Sequence, residues 1–204
     1  MLDFEKNYWD KYEVIVGLDE VGRGCLAGEL VVAGVIFPKG YSNSKIKDSK
    51  QLTEKQREEI YEEIVNNCVE YVIEVRTLEQ INNSNPKRES ILGMESIVKK
   101  LKNKPDLIIT DYEKLNLENC EQINLVKGDS ISLSVAAASI LAKVTRDRML
   151  KEYSKIYAEY DFENNKGYGT KKHLDALNVF GPTKIHRTKY KPVAAAFEKH
   201  RKYR

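Results

Sequence analysis

The clearest indication of the fold is one stretch of sequence, Val14-Ile15-Val16-Gly17-Leu18-Asp19-Glu20-Val21-Gly22-Arg23-Gly24. Its first part, 14–18, is a short apolar run, and a second such run follows at 30–37. Several glycines separate the two runs. Short apolar runs bounded by glycine predict buried strands joined by an irregular loop. We therefore expect a sheet to begin here, with Asp19 and Glu20 at the end of its first strand.

Apolar periodicity extends this pattern along the rest of the chain. It predicts further strands at 69–75, 107–110 and 122–126, and helices from the Thr53 cap to 67, at 86–101, from about 131 to Tyr160, around 174–180 and around 193–197. Strands come first and then alternate with helices, which indicates an α/β mixed sheet flanked by helices. The length of 204 residues suits one catalytic domain, which we place at 1–160. A basic helical segment at 161–204 is expected to pack on it and to contact nucleic acid.

Composition excludes several classes of protein. The apolar fraction of 41% and the charged fraction of 32% are typical of a soluble globular chain. No apolar run approaches a bilayer span, and residues 1–13 lack the pattern of a secretory signal. The three cysteines are far apart, which argues against a zinc site or a disulfide framework. We expect a cytoplasmic monomer with no membrane partner.

Charge is distributed unevenly along the sequence. Residues 166–204 hold eleven Lys/Arg against two acids, whereas residues 1–165 hold 23 basic and 29 acidic side chains. A basic segment of this kind is typical of a surface that binds polyanions. A solvated basic surface without a ligand has the same composition, so charge alone leaves both interpretations open.

Four acids fall where a folded chain can gather them. Asp19 and Glu20 follow the first strand, Asp111 follows a later one, and Asp129 lies at a turn into the long helix. Clustered carboxylates repel one another unless a cation neutralises them. Oxygen ligands without nearby cysteine or histidine favour Mg²⁺ or Mn²⁺. Two such ions about 4 Å apart can promote phosphodiester cleavage, although each acid alone is also compatible with a cap or turn.

The loop after the first strand carries a second kind of feature. Adjacent residues on a regular strand point to opposite faces, so Asp19 and Glu20 can face one metal pair only if the backbone turns there. The glycines that follow favour such a turn. Gly22 and Gly24 also let main-chain groups approach a ligand closely, and Arg23 offers a planar fork of donors to a phosphate. A plain tight turn is the alternative explanation of this Gly-x-Gly pattern.

Five motifs, in order, resemble those of type 2 ribonuclease H, the bacterial ribonuclease HII family. The quoted motifs are Gly17-Leu18-Asp19-Glu20-Val21-Gly22-Arg23-Gly24, Asp48-Ser49-Lys50-Gln51-Leu52, Lys127-Gly128-Asp129-Ser130 with Ala136 to Asp147, Gly167-Tyr168-Gly169-Thr170, and Gly181-Pro182-Thr183 with Ile185-His186-Arg187. The resemblance spans about residues 14–190. It implies a ribonuclease H-like fold of five mixed strands with flanking helices and a helical C-terminal part.

The resemblance also implies roles for individual residues. Asp19, Glu20, Asp111 and Asp129 match the family's metal-binding and catalytic acids, with two divalent ions, Mg²⁺ or Mn²⁺, in the active complex. Substrate contacts are implied for the loop that senses the ribose 2′-hydroxyl, for the tyrosine that stacks on the sugar at the RNA–DNA junction, and for three basic side chains at phosphates: Gly22, Arg23, Gly24, Tyr168, Lys50, Lys143 and Arg146. The expected substrates are RNA/DNA hybrids and DNA containing ribonucleotides. Cleavage would leave 5′-phosphate and 3′-hydroxyl ends.

Some positions depart from the family pattern. Cys25 and Glu29 stand where proline is more frequent, and Tyr112 stands where glycine is common. The Tyr112 difference leaves Glu113 as an alternative to Asp111 if the register is shifted. Three histidines, His173, His186 and His200, show no metal-like pairing in the sequence, and we expect structural or surface roles for them.

Two other functions remain open from the sequence. Type 3 ribonuclease H shares the fold and chemistry, but it generally carries Gly-Thr-Gly at 22–24 and an added N-terminal domain, for which 13 residues leave no room. A non-catalytic nucleic-acid binder would use the acids structurally. The complete set of four acids favours a nuclease.

Overall fold

The computed structural model describes residues 3–118 and 120–201, so residues 202–204 of the predicted basic segment lie outside the described part. Its centre is one five-stranded sheet. The strands are β1 (Ile15–Val21), β2 (Leu30–Ile36), β3 (Glu70–Arg76), β4 (Leu107–Asp111) and β5 (Glu121–Leu125). Their order in the sheet is β3-β2-β1-β4-β5. The first three form an antiparallel meander, and β4 and β5 run parallel to β1. The predicted mixed five-stranded sheet is therefore confirmed.

Helices cover both faces of the sheet and form the C-terminal part. They are α1 (Glu54–Asn67), α2 (Leu78–Asn83), α3 (Pro86–Lys100), α4 (Leu133–Ile156), α5 (Phe162–Asn165), α6 (Lys171–Phe180) and α7 (Lys191–Arg201). One apolar core lies between the sheet and α4 with α1, and a second lies between the opposite face and α3. A third core joins α4 to the C-terminal helices. The sheet is thus enclosed on both faces, and its strand ends remain available for a site.

The long helix α4 lies unusually close to the first strand. A Cβ placed on Gly17 would come within 2.3 Å of the Ser134 carbonyl carbon, so only glycine fits at this contact. Small residues on the helix, including Ala136 to Ala138, are fully buried against the sheet. This close approach holds the beginning of α4, and the acid that precedes it, near the end of β1.

Several boundaries differ from the sequence prediction. The first strand continues to Val21 rather than ending at Leu18, and α4 ends at Ile156 rather than reaching Tyr160. Beyond the helix end the chain leaves the helical conformation at Tyr157, and Tyr160 is buried with its hydroxyl donating to the Gly181 carbonyl. The short helix α2 was not predicted, although it begins with the same Thr-x-x-Gln capping box as α1. Within the described residues, no helix is both long enough and apolar enough to cross a membrane.

Candidate active site

A cavity of about 310 Å³ opens at the edge of the sheet where β1 and β4 end. Its walls bring together all four predicted acids and every predicted substrate residue except Arg146. The lining residues are Asp19, Glu20, Val21, Gly22, Arg23, Gly24, Ser49, Lys50, Arg57, Asp111, Asp129, Ser139, Lys143 and Tyr168. Side chains separated by more than 100 residues in sequence therefore share one opening. We call the four acids at this opening the acid edge.

The first two acids reach the cavity from opposite faces of the same strand. Gly17, which shares a face with Asp19, lies against α4, whereas Leu18, which shares a face with Glu20, belongs to the core under α3. The prediction that the backbone turns at Asp19 and Glu20 is therefore wrong. The strand runs through both of them, and the backbone turns at Gly22, whose φ is +107°. Both carboxylates line the cavity because they lie at the strand end, where either face is within reach.

Burial makes these two acids difficult to ionise. Desolvation raises the pKa of Asp19 well above its ordinary value, and repulsion from Glu20 and Asp111 adds to this effect. Desolvation also raises the pKa of Glu20 to about 7, despite the opposing attraction of Arg23. One Glu20 oxygen, Oε2, is buried without a hydrogen-bond partner among the described residues. The site thus concentrates carboxylates that need a positive charge.

Basic side chains supply part of that charge. The Arg23 guanidinium lies 3.1 Å from Glu20 Oε1 and 2.7 Å from Glu113 Oε1. Lys50 Nζ lies 3.1 Å from Asp129 Oδ2, and this hydrogen bond raises the pKa of Lys50. Within residues 3–118 and 120–201, no three acidic, histidine or cysteine side chains already stand at a spacing suited to one metal ion. Two of the acids are instead turned toward these cations.

The third acid is placed by the end of β4. Asp111 is the last residue of that strand, and its Oδ1 accepts a hydrogen bond of 2.8 Å from the Gly128 amide. Glu113, the alternative, is buried beneath Arg23 rather than in the cavity wall. Tyr112 between them adopts a left-handed φ of +69°, which explains why glycine suits this position. The structure therefore supports the register that puts Asp111 in the site.

Arg146 lies elsewhere, which corrects its predicted contact with phosphate. The side chain is fully buried, and its three nitrogens donate to the carbonyls of Ala27, Glu29 and Lys166 at 2.7–2.9 Å. A buried guanidinium whose three nitrogens all donate to backbone carbonyls is unavailable to substrate. Lys143, three residues earlier on α4, does line the cavity and donates to Asp147 at 2.7 Å.

The glycine loop and the tyrosine stand opposite one another. A Cβ on Gly22 would lie 2.4 Å from Arg146 Nε, so this position requires glycine. A Cβ on Gly24 would meet only the Tyr168 ring, at 3.9 Å. The Tyr168 side chain is 43% exposed and faces the opening. The loop backbone and an aromatic ring thus border one gap beside the acid edge.

Several residues that shape this site have no role predicted from the sequence. Arg57 and Ser139 line the cavity, and Arg187 is completely buried behind the glycine loop. Arg187 was part of a quoted motif, but an arginine in a basic segment carries no sequence signal that distinguishes burial from solvation. The expected structural roles of His173 and His186 agree with their positions, since both rings are buried and in contact.

Comparisons with known proteins agree with this geometry. A family model described as Ribonuclease HII matches residues 16–193. Ribonuclease HII of Mycoplasma capricolum subsp. capricolum is 48% identical over 178 residues, which cover 87% of this chain and 86% of that protein. Ribonuclease H2 from Pyrococcus horikoshii OT3 superposes with a TM-score of 0.80 at 25% identity, over 93% of this chain and 99% of that chain. Bst ribonuclease HIII in complex with Mn²⁺ superposes with a TM-score of 0.66 at 18% identity, over 93% and 70% respectively, and this likeness concerns the fold alone.

Fold and site together define a ribonuclease H-like enzyme, a hydrolase that acts as an endoribonuclease. Within that class, the chain belongs to the ribonuclease HII family, which cleaves the RNA of RNA/DNA hybrids. The resemblance first seen in five motifs is therefore confirmed over most of the chain. The type 3 alternative shares the fold, but the family match and the high identity are to type 2.

Proposed function

We propose that this enzyme hydrolyses RNA phosphodiesters in RNA/DNA duplexes, including a single ribonucleotide embedded in DNA. The products are 5′-phosphate and 3′-hydroxyl ends. The observation that carries the proposal is the shared cavity, in which four acids stand beside a glycine loop and an exposed tyrosine. A nuclease needs the four acids for cleavage. Selection of ribose needs a second group that can contact a 2′-hydroxyl.

The ligand chemistry of the acid edge suits divalent cations, and we propose that it holds two. Its ligands are all carboxylates, which favours Mg²⁺ or Mn²⁺ over zinc. The partnerless Oε2 of Glu20 and the raised pKa values of Asp19 and Glu20 both indicate a site that is more stable with added positive charge. Asp19, Glu20, Asp111 and Asp129 would hold the ions. When bound, such ions activate a water molecule and stabilise the departing 3′-oxygen.

Arg23 and Lys50 have two roles in this proposal. Without metal they neutralise Glu20 and Asp129 through the ion pairs described above. If ions neutralised the acids instead, the same donors would be available to phosphate oxygens at the entrance of the cavity. The exposure of the Lys50 side chain, 80%, leaves it free to move. Lys143, which Asp147 holds in the cavity wall, is placed for a further phosphate contact.

Recognition of ribose is assigned to the loop and the tyrosine. Gly24 leaves the space beside the Tyr168 ring unfilled, and Gly22 lets the backbone turn tightly over buried Arg146, so the loop backbone can approach a 2′-hydroxyl. Tyr168 is placed to stack on the neighbouring sugar. A deoxyribose at the scissile position lacks the hydroxyl and would leave the polar groups of the loop unpaired, which disfavours cleavage of DNA.

Cleavage mapping tests this proposal. Duplexes that contain one, four or many ribonucleotides are incubated with the enzyme and Mg²⁺ or Mn²⁺, and the ends of the products are analysed. We expect cutting of all three substrates on the 5′ side of a ribonucleotide, with 5′-phosphate and 3′-hydroxyl ends, and none after chelation of the metal. Failure to cut the single-ribonucleotide duplex would remove that substrate from the proposal. Metal-independent cleavage, or 2′,3′-cyclic ends, would contradict the mechanism.

A further inference from the structure

Two adjacent residues of the C-terminal segment, His186 and Arg187, reach two different parts of the site. Both side chains are buried, and the segment lies between α6 and α7. Its backbone is docked beside the glycine loop, since the Arg187 amide donates to the Leu26 carbonyl at 2.8 Å. The Gly28 amide donates to the Ile185 carbonyl at 2.9 Å. The segment is therefore fixed to the chain immediately after Gly22-Arg23-Gly24.

Arg187 holds the glycine loop by its carbonyl groups. Its Nη1 donates to the Gly22 carbonyl at 2.7 Å and to the Arg23 carbonyl at 3.1 Å. Its Nε and Nη2 donate to the Gly28 and Glu29 carbonyls at 2.9 and 3.2 Å. Breaking these bonds would leave a buried guanidinium without acceptors, which is energetically costly. The loop conformation is thus determined by a side chain far away in sequence.

Tyr190 adds a second donor to the same loop. Its hydroxyl donates to the Arg23 carbonyl, which Arg187 also contacts. Both donors come from the C-terminal segment and act on the carbonyl side of the loop. The Arg23 side chain is therefore presented to the cavity from a backbone that is tied down directly behind it.

His186 holds the other part of the site through a second histidine. The Thr183 amide donates to His186 Nδ1 at 2.9 Å, so this nitrogen carries no proton. The proton on His186 Nε2 then points at His173 Nε2, 3.0 Å away. His173 in turn donates from Nδ1 to the Tyr168 carbonyl at 2.8 Å. The direction of each bond follows from the first, and the chain of bonds is complete only with two neutral imidazoles.

We propose that His173, His186, Arg187 and Tyr190, which we call the C-terminal clamp, are positioning residues that set the gap between the Gly22-Arg23-Gly24 loop and Tyr168. The clamp itself does not line the cavity. It acts by fixing the backbone of the two elements assigned to ribose recognition, so selectivity for an embedded ribonucleotide depends on it. The inference rests on the proposed function of that loop and tyrosine.

A pair of isosteric variants at His173 tests the clamp. In His173→Asn the amide nitrogen lies near the position of Nδ1 and can still donate to the Tyr168 carbonyl. In His173→Gln the amide lies near the position of Nε2, and that bond is lost. We measure kcat and KM on a duplex with one embedded ribonucleotide and on a uniform RNA/DNA hybrid, with Mg²⁺. The ratio of the two kcat/KM values is the readout.

We expect His173→Gln, which loses the bond to the Tyr168 carbonyl, to lower this ratio about tenfold, and His173→Asn, which keeps that bond but loses the one from His186, to lower it less than about threefold. The loss should appear mainly in kcat for the single-ribonucleotide duplex, because other contacts still bind the substrate. Leu177→Ala is the control, since it weakens the same apolar core without a polar contact to the loop or the tyrosine. All variants are compared at a temperature where circular dichroism shows them folded.

Three outcomes overturn the inference. The first is an equal ratio in His173→Asn and His173→Gln, and the second is a comparable loss of ratio in Leu177→Ala. The third is an unchanged ratio in Tyr168→Leu, which would overturn the proposed role of the tyrosine as well. A lowered ratio in Tyr168→Leu with equal Asn and Gln variants rejects the clamp alone. If both His173 variants fail to fold, Tyr190→Phe replaces them, and the clamp requires it to lower the ratio about threefold.

Discussion

The acid edge and the C-terminal clamp are positioned in two different ways. The acids stand at strand ends and a helix entrance, where the main chain of the sheet already points to one opening. The clamp residues meet their partners across as many as 167 positions of sequence, as between Arg23 and Tyr190. The acids are placed by regular secondary structure. The Gly22-Arg23-Gly24 loop is placed by the buried side chains of the clamp. In the proposed function, the groups assigned to cleavage and those assigned to ribose selection therefore have separate structural supports.

This separation predicts that the acids can be changed without loss of the fold. Asp19→Asn and Asp129→Asn should each reduce cleavage about 10³-fold or more, because the variants lose a ligand charge. Asp19→Asn should also raise the melting temperature without metal, since it removes a buried carboxylate whose pKa is raised by desolvation and repulsion. Cleavage rates and thermal unfolding are the measurements.

Asp175→Asn provides the matched control for the acids. This residue lies on α6, is exposed, and among the described residues pairs only with Lys171, one turn earlier on the same helix. The substitution changes charge and size in the same way and should alter cleavage less than about twofold. Substantial Mg²⁺-dependent activity in either acid-edge variant would show that the four acids are not the catalytic set.

The clamp should behave in the opposite manner, with a large effect on stability. Arg187→Met keeps the length of the side chain but removes its hydrogen bonds to the carbonyls of Gly22 and Gly28. We expect a loss of about 2–4 kcal/mol in the free energy of unfolding, measured with urea. Arg148→Met removes an exposed arginine that pairs with Glu58, and it should cost less than about 1 kcal/mol. Equal losses would mean that Arg187 contributes no more than a surface residue.

The neutral histidine pair makes stability depend on pH. Burial lowers the pKa of His186 to about 3, from an ordinary value of 6.5. As the pH falls, His186 is therefore protonated in the unfolded chain before it is protonated in the folded protein. The contribution of neutral His186 to the free energy of unfolding is complete above about pH 6.5. It is lost as the pH falls toward 3, at up to about 1.4 kcal/mol per pH unit.

His186→Asn isolates this contribution. The variant should show a shallower fall in unfolding free energy between about pH 6 and pH 4 than the unmodified enzyme. Asp19 and Glu20 act with the opposite sign, because their raised pKa values favour the folded state as they take up protons. They are present in both proteins, so the difference between the two curves reports on the histidine. Parallel curves would contradict a neutral pair.

The smallest effect is expected at the strand end beside Asp111. Tyr112 holds a left-handed φ of +69°, a conformation that costs a bulky residue roughly 1 kcal/mol. Tyr112→Gly should recover about that amount in urea unfolding, whereas Tyr112→Ala should not, because alanine meets the same restriction. A gain in both variants would point to the exposed ring rather than to the backbone as the cause.

Sequence patterns were sufficient for most of the sheet and for the four acids. Apolar runs predict strands locally, so Asp19 and Asp111 are expected near strand ends and Asp129 at the turn into the long helix, and the family resemblance implies that these acids share one site. The boundaries that failed, at Val21 and at Ile156, depend on distant packing. The prediction for Arg146 failed for the same reason, because a basic residue on a helix gives no local sign of burial.

What the sequence determined by itself was the class of fold, the family and the residues available for catalysis, since these follow from periodicity and from motifs that are read along the chain. Only the tertiary structure decided which arginines are structural, how Asp19 and Glu20 reach one cavity from opposite faces, and how His186 and Arg187 hold the loop and Tyr168. Those outcomes depend on desolvation and on hydrogen bonds between segments far apart in sequence. Neither the desolvation nor these hydrogen bonds exist until the chain has folded.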